Sequence, residues 1–494
     1  MRRISRRSFL GSAAASSAVL ALGEAAEAQG ALAGKRPNII LIMTDDQGYG
    51  DLACHGNPII KTPHLDRLHS ESVRFTDFHV SPTCAPTRCS LMTGRHEFKS
   101  GVTHTIAERE RMSLKATTIA QVLRAAGYAT GIFGKWHLGD EPDRWPSRRG
   151  FDEMFIHGCG GIGQSFPGSC GDAPGNSYFN PVILHNGTFV KTTGYCTDVF
   201  FAQATKWIGE RRGKGPFFAY ITPNAPHAPL ICPEEYEAIY RDKFADPEPK
   251  GKKKGGGRRD VAKFYGMITN IDDNVGKLLA KLKEWDIERE TLVIFMTDNG
   301  GTAGLGVYNA GMRSGKGTPY HGGTRVPSFW RWPGTLKPAD VDKLTAHLDI
   351  FPTFCELAGA KAPDGVKLDG FSLLPLLADP QAAWPNRYLV THVGRWGRGK
   401  AAESKHALCS IRQGQHIMVS RSAGKWELYD LKADPGEKTD IAAQHPDVVK
   451  RLEAIYDKWW DEVLPCLENE DAVGPAVNPF KELYWKQFGR PDGK

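Results

Sequence analysis

The segment Asn38-Ile-Ile-Leu-Ile-Met43 is apolar from end to end, bounded by Pro37 and Thr44, and runs straight into Asp45 and Asp46. A short apolar run with no polar residue on either face predicts a strand buried on both sides. Such a strand needs helices above and below it, which confines the chain to a layered α/β architecture. Pro216–Ile221 and Thr291–Met296 have the same character. Ala129–Phe133 predicts a further strand, after a helix over Thr118–Ala126 that stops at Gly127. Between the later strands, Val261, Phe264, Tyr265, Ile268, Ile271, Val275, Leu278, Leu279 and Leu282 recur every three or four residues, the spacing of one long amphipathic helix. Strands alternating with helices predict a mostly parallel sheet covered on both faces. The chain has 494 residues, 40% of them hydrophobic, which is enough for one large core and a second, smaller unit.

That smaller unit begins near residue 385, where the pattern changes. Ala407–Arg412, Gln415–Ser420 and Trp426–Asp430 predict short strands joined by Gly-containing turns, with a helix to follow over Val448–Trp460. The expected division is a large domain over 29–385 and an α+β C-terminal subdomain over 386–494. Residues 1–28 are set apart. Ser5-Arg6-Arg7-Ser8-Phe9-Leu10, an Ala/Gly/Ser/Leu stretch to Leu22 and Ala26-Glu27-Ala28 form the ordered parts of a twin-arginine export signal. The expected destination is the periplasm or the extracellular space, reached through the twin-arginine machinery. No later apolar run is long enough to span a bilayer.

The formal charge is +7, and residues 1–28 contribute four Arg and two Glu, leaving +5 on the remainder. Spread over so long a chain, this is no footprint for nucleic acid. A basic, glycine-rich run at 249–259 predicts a solvated loop. Ten cysteines are too sparse for a disulfide scaffold, and Cys159 and Cys170, flanking a Gly-rich loop, form the nearest candidate pair.

Two of the buried strands end in acidic pairs, Asp45-Asp46 after the first and Asp298-Asn299 after Thr291–Met296. In an open α/β sheet, ligands gather outside the carboxyl ends of the strands. Either pair alone is most simply a turn or helix cap. Two pairs at equivalent strand ends point instead to a cation held by oxygen ligands, calcium or magnesium rather than zinc. Cys84-Ala-Pro-Thr-Arg88 opens a helix that closes at Gly94, with Pro86 in its first turn. Cys84 then stands at a helix N-terminus, where backbone N–H groups attract an anion, and Arg88 lies one turn on, with a fork suited to tetrahedral oxyanions.

Cys84-x-Pro-x-Arg88 followed by Leu91-Met92-Thr93-Gly94 resembles the signature of the type I sulfatases, in which the cysteine is oxidised to formylglycine. Further blocks resemble the family in its own order: Asn38–Asp46, Gly134-Lys-Trp-His-Leu-Gly139, Pro226-His-Ala-Pro229, Asp298-Asn-Gly300, Gly322-Gly-Thr-Arg-Val-Pro327, Glu427–Leu431 and Asp434–Glu437. The resemblance implies an alkaline-phosphatase-like mixed sheet flanked by helices, and a sulfuric ester hydrolase. It implies one calcium ion held by Asp45, Asp46, Asp298 and Asn299, with the modified Cys84 facing it. Arg88 and Lys135 would steady the aldehyde hydrate and His137 would act as its base. His227 and Lys316 would grip the sulfate and protonate the leaving oxygen. A formylglycine-generating maturase is then an obligatory partner, and a sulfated glycan, with an aryl sulfate as surrogate, is the expected substrate. One position departs from the family pattern, where His321 replaces an often acidic residue before Gly322-Gly323.

The hydrate has a chemical rationale. One hydroxyl attacks sulfur and expels the alcohol; the other is then deprotonated and ejects sulfate by C–O cleavage, which restores the aldehyde. Two other readings use the same residues. Cys89-x5-Arg95 has the spacing of cysteine-dependent phosphatases, which need a low-pKa thiolate. A phosphonate monoester or phosphodiester hydrolase on the same fold would use the same modified cysteine. The Gly-rich stretch 158–175 is expected at the pocket rim. His104 and Trp136 are weighed as contacts there, although packing is the commoner role for such residues.

Overall fold

A computed structural model describes residues 30–244, 258–362, 364–422 and 424–490. The expected export signal and most of the basic 249–259 run lie outside the described residues.

Sixteen strands are present among the described residues: β1 Asn38–Thr44, β2 Val73–Phe75, β3 Phe78–His79, β4 Ala129–Lys135, β5 Glu153–His157, β6 Val182–His185, β7 Thr188–Lys191, β8 Phe217–Thr222, β9 Thr291–Thr297, β10 Ser328–Arg331, β11 Ala339–Val341, β12 Thr345–Ala346, β13 Tyr388–His392, β14 Cys409–Gln413, β15 His416–Ser420 and β16 Trp426–Asp430. Ten of them form one sheet in the order β11-β2-β10-β9-β1-β8-β4-β5-β6-β7. Its centre, β9-β1-β8-β4-β5, is parallel throughout. Antiparallel pairs (β10 on β9, β6 on β5) flank that centre and make the sheet mixed.

Alternate side chains of one strand enter opposite cores, as the period of two requires. Ile39, Leu41 and Met43 of β1 pack with Leu292, Ile294 and Met296 of β9 on one face. Ile40 and Ile42 pack with Val293 and Phe295 on the other. The first face is covered by helices α2 Ile119–Ala125 and α5 Ile350–Ala358, the second by α3 Cys196–Arg211 and α4 Arg258–Glu284; α1, Cys84–Thr93, carries the cysteine of the motif. Helix α2 starts on a capping box in which Thr118 and Gln121 satisfy each other's backbone N–H. The long periodic run is α4, whose Met267, Ile271, Val275, Leu278 and Leu282 lie in the second core.

Strands β13 to β16 form a separate antiparallel sheet in sequence order. Helix α6, Pro446–Val463, lays Leu452, Tyr456, Trp459 and Trp460 on it, against Ile411, Met418 and Leu428. The meander has one strand more than the sequence pattern gave, because β13 carries a single apolar pair within Tyr388-Leu-Val-Thr-His392. The segment 386–494 also makes contacts outside this sheet. Its last helix, α7 Pro479–Phe488, returns to the large domain: Phe480 enters the first core, and the Gln487 side chain bonds the Phe189 backbone of β7 in both directions, at 2.9 and 2.7 Å. Among the described residues, no helix is long and apolar enough to cross a membrane.

Candidate active site

The parallel strands converge at their carboxyl ends, and six polar side chains from four strands gather there. β1 delivers Asp45 and Asp46, β9 delivers Asp298 and Asn299, β4 ends on Lys135, and β8 runs into the turn that carries His227. The register aligns Thr44 with Thr297, so the two acidic pairs emerge side by side, tied by Asp298 N–H donating to Thr44 O at 3.1 Å. Just beyond them Gly300 packs against the Gly322-Gly323 backbone, where a Cβ would stand 2.0 Å from Gly322 O.

Asp46 and His137 both hold left-handed backbone, with φ of 68° and 60°. For residues other than glycine this costs about 1–3 kcal/mol each and persists only where the surroundings enforce it. At Asp46 the enforcement is visible: its N–H donates to Asp298 Oδ1 at 3.2 Å, and its Oδ1 accepts from Asn299 Nδ2 at 3.0 Å and Lys316 Nζ at 2.5 Å.

Every residue of α1 is buried. A helix so placed must satisfy its own polar side chains, and it does so locally. Thr87 donates to Ser81 O at 3.0 Å, Ser90 to Glu97 at 2.7 Å and Thr93 to Cys89 O at 2.9 Å. Gly94, with φ of 64°, closes the helix in the left-handed cap that the sequence predicts. Cys84 is the first residue of α1 and 2% exposed. Its Sγ and carboxylate oxygens of Asp45 and Asp298 all lie within 4.8 Å of one another. Arg88 donates to Asp298 Oδ2 at 2.9 Å, to Lys135 O at 3.1 Å and to the Thr222 hydroxyl. Lys135 Nζ donates to Asp45 Oδ2 at 2.6 Å.

The cluster therefore holds three carboxylates and three cations, all interlocked. Two oxygens are left over. Asp45 Oδ1 and Asn299 Oδ1 are buried and have no hydrogen-bond partner among the described residues. Most buried oxygens of this kind have a partner, and this pair, converging with two further carboxylates at the strand ends, fits a hard cation. Burial and the neighbouring Asp45 carboxylate push Asp298 up to about 6, against the pull of Arg88 and Lys135. Burial works the same way on Asp46, but Lys316 and His227 outweigh it and hold that carboxyl below the usual range.

His137 Nε2 faces Thr105 O at 2.8 Å. A carbonyl only accepts, so Nε2 carries the proton and Nδ1, buried and unpartnered, presents a lone pair. Burial and Lys135 hold the imidazole well below its ordinary pKa, which keeps it neutral and basic in form. His227 is driven down to about 3, mainly by burial, and its Nε2 stands 3.9 Å from Asp46 Oδ2. Lys316 is anchored through its neighbours: its N–H donates to Gly301 O at 3.2 Å, and Gly317 N–H donates to Pro82 O at 2.8 Å, two residues before Cys84.

Cys159 and Cys170 are joined in a disulfide. It closes the 158–175 loop, whose Gly160 and Gly161 lie against the His227 ring, where a Cβ would stand 3.5 and 3.3 Å away. The Gly-rich loop thus lies beside His227. The two contacts weighed with it are occupied elsewhere. Trp136 is buried and donates to Arg144 O at 3.1 Å, and His104 Nδ1 accepts from the N–H groups of Thr105 and Ile106. Cys89 is fully buried, and burial with Glu97 nearby pushes its thiol far above the ordinary value, so the Cys-x5-Arg reading has no thiolate to work with. His321 is buried, stacked on His79 at 5.4 Å between ring centroids, and held neutral mainly by burial; it adds no charge to the site.

Three contributors had no distinct signal in the sequence. They are the Thr222 hydroxyl, the Thr105 carbonyl that sets the His137 tautomer, and the Asn224 carbonyl, which accepts from the His227 N–H at 3.0 Å. A backbone carbonyl leaves no residue-type signature at all.

A mixed α/β sheet with a buried cysteine, paired carboxylates and three cations at its carboxyl edge defines a hydrolase of anionic esters. The sulfatase family model matches residues 37–360, and a model described as the C-terminal part of N-sulphoglucosamine sulphohydrolase matches 315–459. Arylsulfatase A of Homo sapiens is 32% identical over 475 residues, covering 87% of this chain and 88% of that protein. N-acetylgalactosamine-6-sulfatase of Homo sapiens is 31% identical, covering 89% of each. The crystal structure of Ps i-CgsB in complex with k-i-k-neocarrahexaose superposes with a TM-score of 0.75 at 29% identity, over 92% of this chain and 98% of that one. The chain belongs to the sulfatase family and is a sulfuric ester hydrolase. A phosphonate monoester hydrolase of Agrobacterium radiobacter, at 22% identity and a TM-score of 0.61, shares the fold alone.

Proposed function

We propose that the protein removes sulfate from a sulfated saccharide, with a nucleophile made from Cys84 by a maturase and a single calcium ion beside it. The observation that carries this reading is the meeting of Cys84 Sγ, Asp45 and Asp298 within 4.8 Å in a buried site, with Arg88 one helical turn away. In it the Cys84 side chain stands where the formylglycine group would stand. That group, as its hydrate, supplies one hydroxyl to attack sulfur and a second to release sulfate.

Asp45, Asp46, Asp298 and Asn299 would hold the calcium ion, which supplies positive charge for the sulfate oxygens as they gain charge. Without the ion the three carboxylates and three cations balance; with it the site carries an excess of two positive charges, which suits an anionic ester. Arg88 and Lys135 fix two of the ligands and stand at the nucleophile. His137 Nδ1, held as an acceptor by the Thr105 bond, takes the proton of a hydroxyl at residue 84. Lys316 and His227 both lie at Asp46 and bind the sulfate, and Lys316, held protonated beside Asp46, passes a proton to the departing oxygen. Replacement of Lys316 by Ala is therefore expected to depend on the leaving group. Turnover of an alkyl saccharide sulfate should fall by about 10²–10³-fold, and that of 4-nitrophenyl sulfate, whose leaving group needs little protonation, by about tenfold. Steady-state rates on the two substrates check this, and equal losses would remove the acid role.

The saccharide part of the reading rests on relatives whose names or ligands are saccharides, N-acetylgalactosamine-6-sulfatase and Ps i-CgsB with its neocarrahexaose. Paired esters test the anion. Sulfate release from 4-nitrophenyl sulfate is expected to exceed phosphate release from 4-nitrophenyl phosphate and from a phosphonate monoester. The reverse order would transfer the assignment to a phosphonate monoester or phosphodiester hydrolase.

A further inference from the structure

The opposite end of the sheet holds a second concentration of positive charge. Beneath the amino ends of β1, β8 and β9 lies a cavity of about 540 Å³, lined by Lys35, Arg36, Arg211, Arg212 and Arg289 against one carboxylate, Glu290. Seven-residue strands separate it from Asp45 and Asp298, a distance of roughly 20 Å at about 3.3 Å per residue.

None of the five cations is ion-paired among the described residues, although compensation is close at hand. Arg331, next to the lining residue Trp332, is paired with both Glu71 and Glu288. Three of the cavity's four arginines are instead steadied by neutral partners. Arg36 lies 5.5 Å over the Tyr128 ring and donates to Ala126 O at 2.6 Å. Arg211 lies 5.4 Å over Trp207 and Arg212 5.0 Å over Trp285. Rings and carbonyls fix a guanidinium without neutralising it, which leaves uncompensated positive charge along the lining of a concave surface. Gly213 and Gly215 keep one side open, since a Cβ at either would meet nothing within 4 Å.

We propose that this cleft is a second, non-catalytic site for the sulfate groups of a polymeric sulfated saccharide. The volume lies in the range of pockets that hold small ligands, roughly 300–1,000 Å³. Recognition of nucleic acid by base stacking needs exposed aromatic faces, and docking on a membrane needs an exposed apolar rim. Of the large hydrophobic side chains that are exposed among the described residues, none lines this cavity. A polymer held here raises the local concentration of its own sulfate esters at the catalytic end. The inference rests on the proposed saccharide substrate only for the class of ligand.

The test is the affinity of the full-length enzyme for dextran sulfate, with unsulfated dextran, poly(U) and phosphatidylserine vesicles as comparators. Arg211→Gln/Arg212→Gln/Arg289→Gln should weaken dextran sulfate binding about tenfold or more and flatten its salt dependence, by analogy with the release of counterions from other polyanions. Turnover of 4-nitrophenyl sulfate should not change. A control exchanging the exposed Lys361, Lys425 and Lys450 for Gln should bind like the parent. If the triple variant does not fold, Lys35→Gln/Arg289→Gln, at two exposed positions, asks the same question with a smaller expected loss. Unchanged binding in the cavity variant, or an equal loss in the control, overturns the site. Binding of poly(U) or vesicles as tight and as sensitive to the cavity substitutions overturns the saccharide assignment. An enzyme that binds dextran sulfate through the cleft but desulfates no saccharide refutes the proposed substrate and leaves the cleft standing.

Discussion

Exchange of Cys84 for Ala is expected to lower sulfate release by about 10⁴-fold or more, the scale on which enzymes lose rate when a nucleophile is deleted. The effect should fall on kcat, because the groups that bind the sulfate remain. Arg88, Lys135, His227 and Lys316 donate hydrogen bonds to Asp298, Asp45, Ala228 and Asp46, none of which involves Cys84. The fold should survive as well. Residue 84 opens α1 rather than sitting inside its core-facing turn, and Ala is well tolerated at the start of a helix. Peptide mass spectrometry of the active parent should show a mass at residue 84 that matches replacement of the thiol-bearing carbon by an aldehyde. An unmodified cysteine in fully active enzyme, or an active Ala variant, would sink the proposed nucleophile.

The large sheet was legible because its strands are buried on both faces. A run such as Ile39–Met43 has no solvent side to interrupt it, so hydrophobicity alone marks it, and the acidic pair that follows marks its carboxyl end. The edges were less legible. β2 has three residues and β3 two, too short for any periodicity, and β13 is half polar because it sits at the edge of its sheet. The return of α7 to the large domain rests on Asn478, Phe480, Tyr484 and Gln487, whose contacts at long sequence separation no local pattern encodes.

For the site the same distinction holds between residue type and placement. The acidic pairs, the cysteine and the basic groups announce themselves by chemistry, and strand order explains why they meet. What the sequence could not convey is how they are paired. Repulsion among the three carboxylates is largely met by Arg88, Lys135 and Lys316. The argument for a metal now rests on narrower ground, the two buried oxygens of Asp45 and Asn299 that the protein itself leaves without partners.

That pairing shapes the second large effect, which separates loss of metal from loss of fold. Chelation of the parent enzyme should abolish turnover while leaving it folded, because the remaining carboxylates and cations balance in charge and stay hydrogen-bonded. The double substitution Asp45→Ala/Asp298→Ala should abolish both turnover and calcium content, and it should also unsettle the fold. It strips Lys135 and Arg88 of their buried carboxylates, and breaking a buried pair by removing one partner costs about 3–5 kcal/mol. Metal analysis after dialysis, read beside thermal unfolding, tells these states apart: no metal and a modest loss of stability for the chelated parent, no metal and a large loss for the variant. Returning calcium should restore the parent alone. Full metal content in the variant would remove these residues from the ligand set. Undiminished turnover by a parent stripped of its metal would remove the ion from the reaction, and the unpartnered oxygens of Asp45 and Asn299 would then need another occupant.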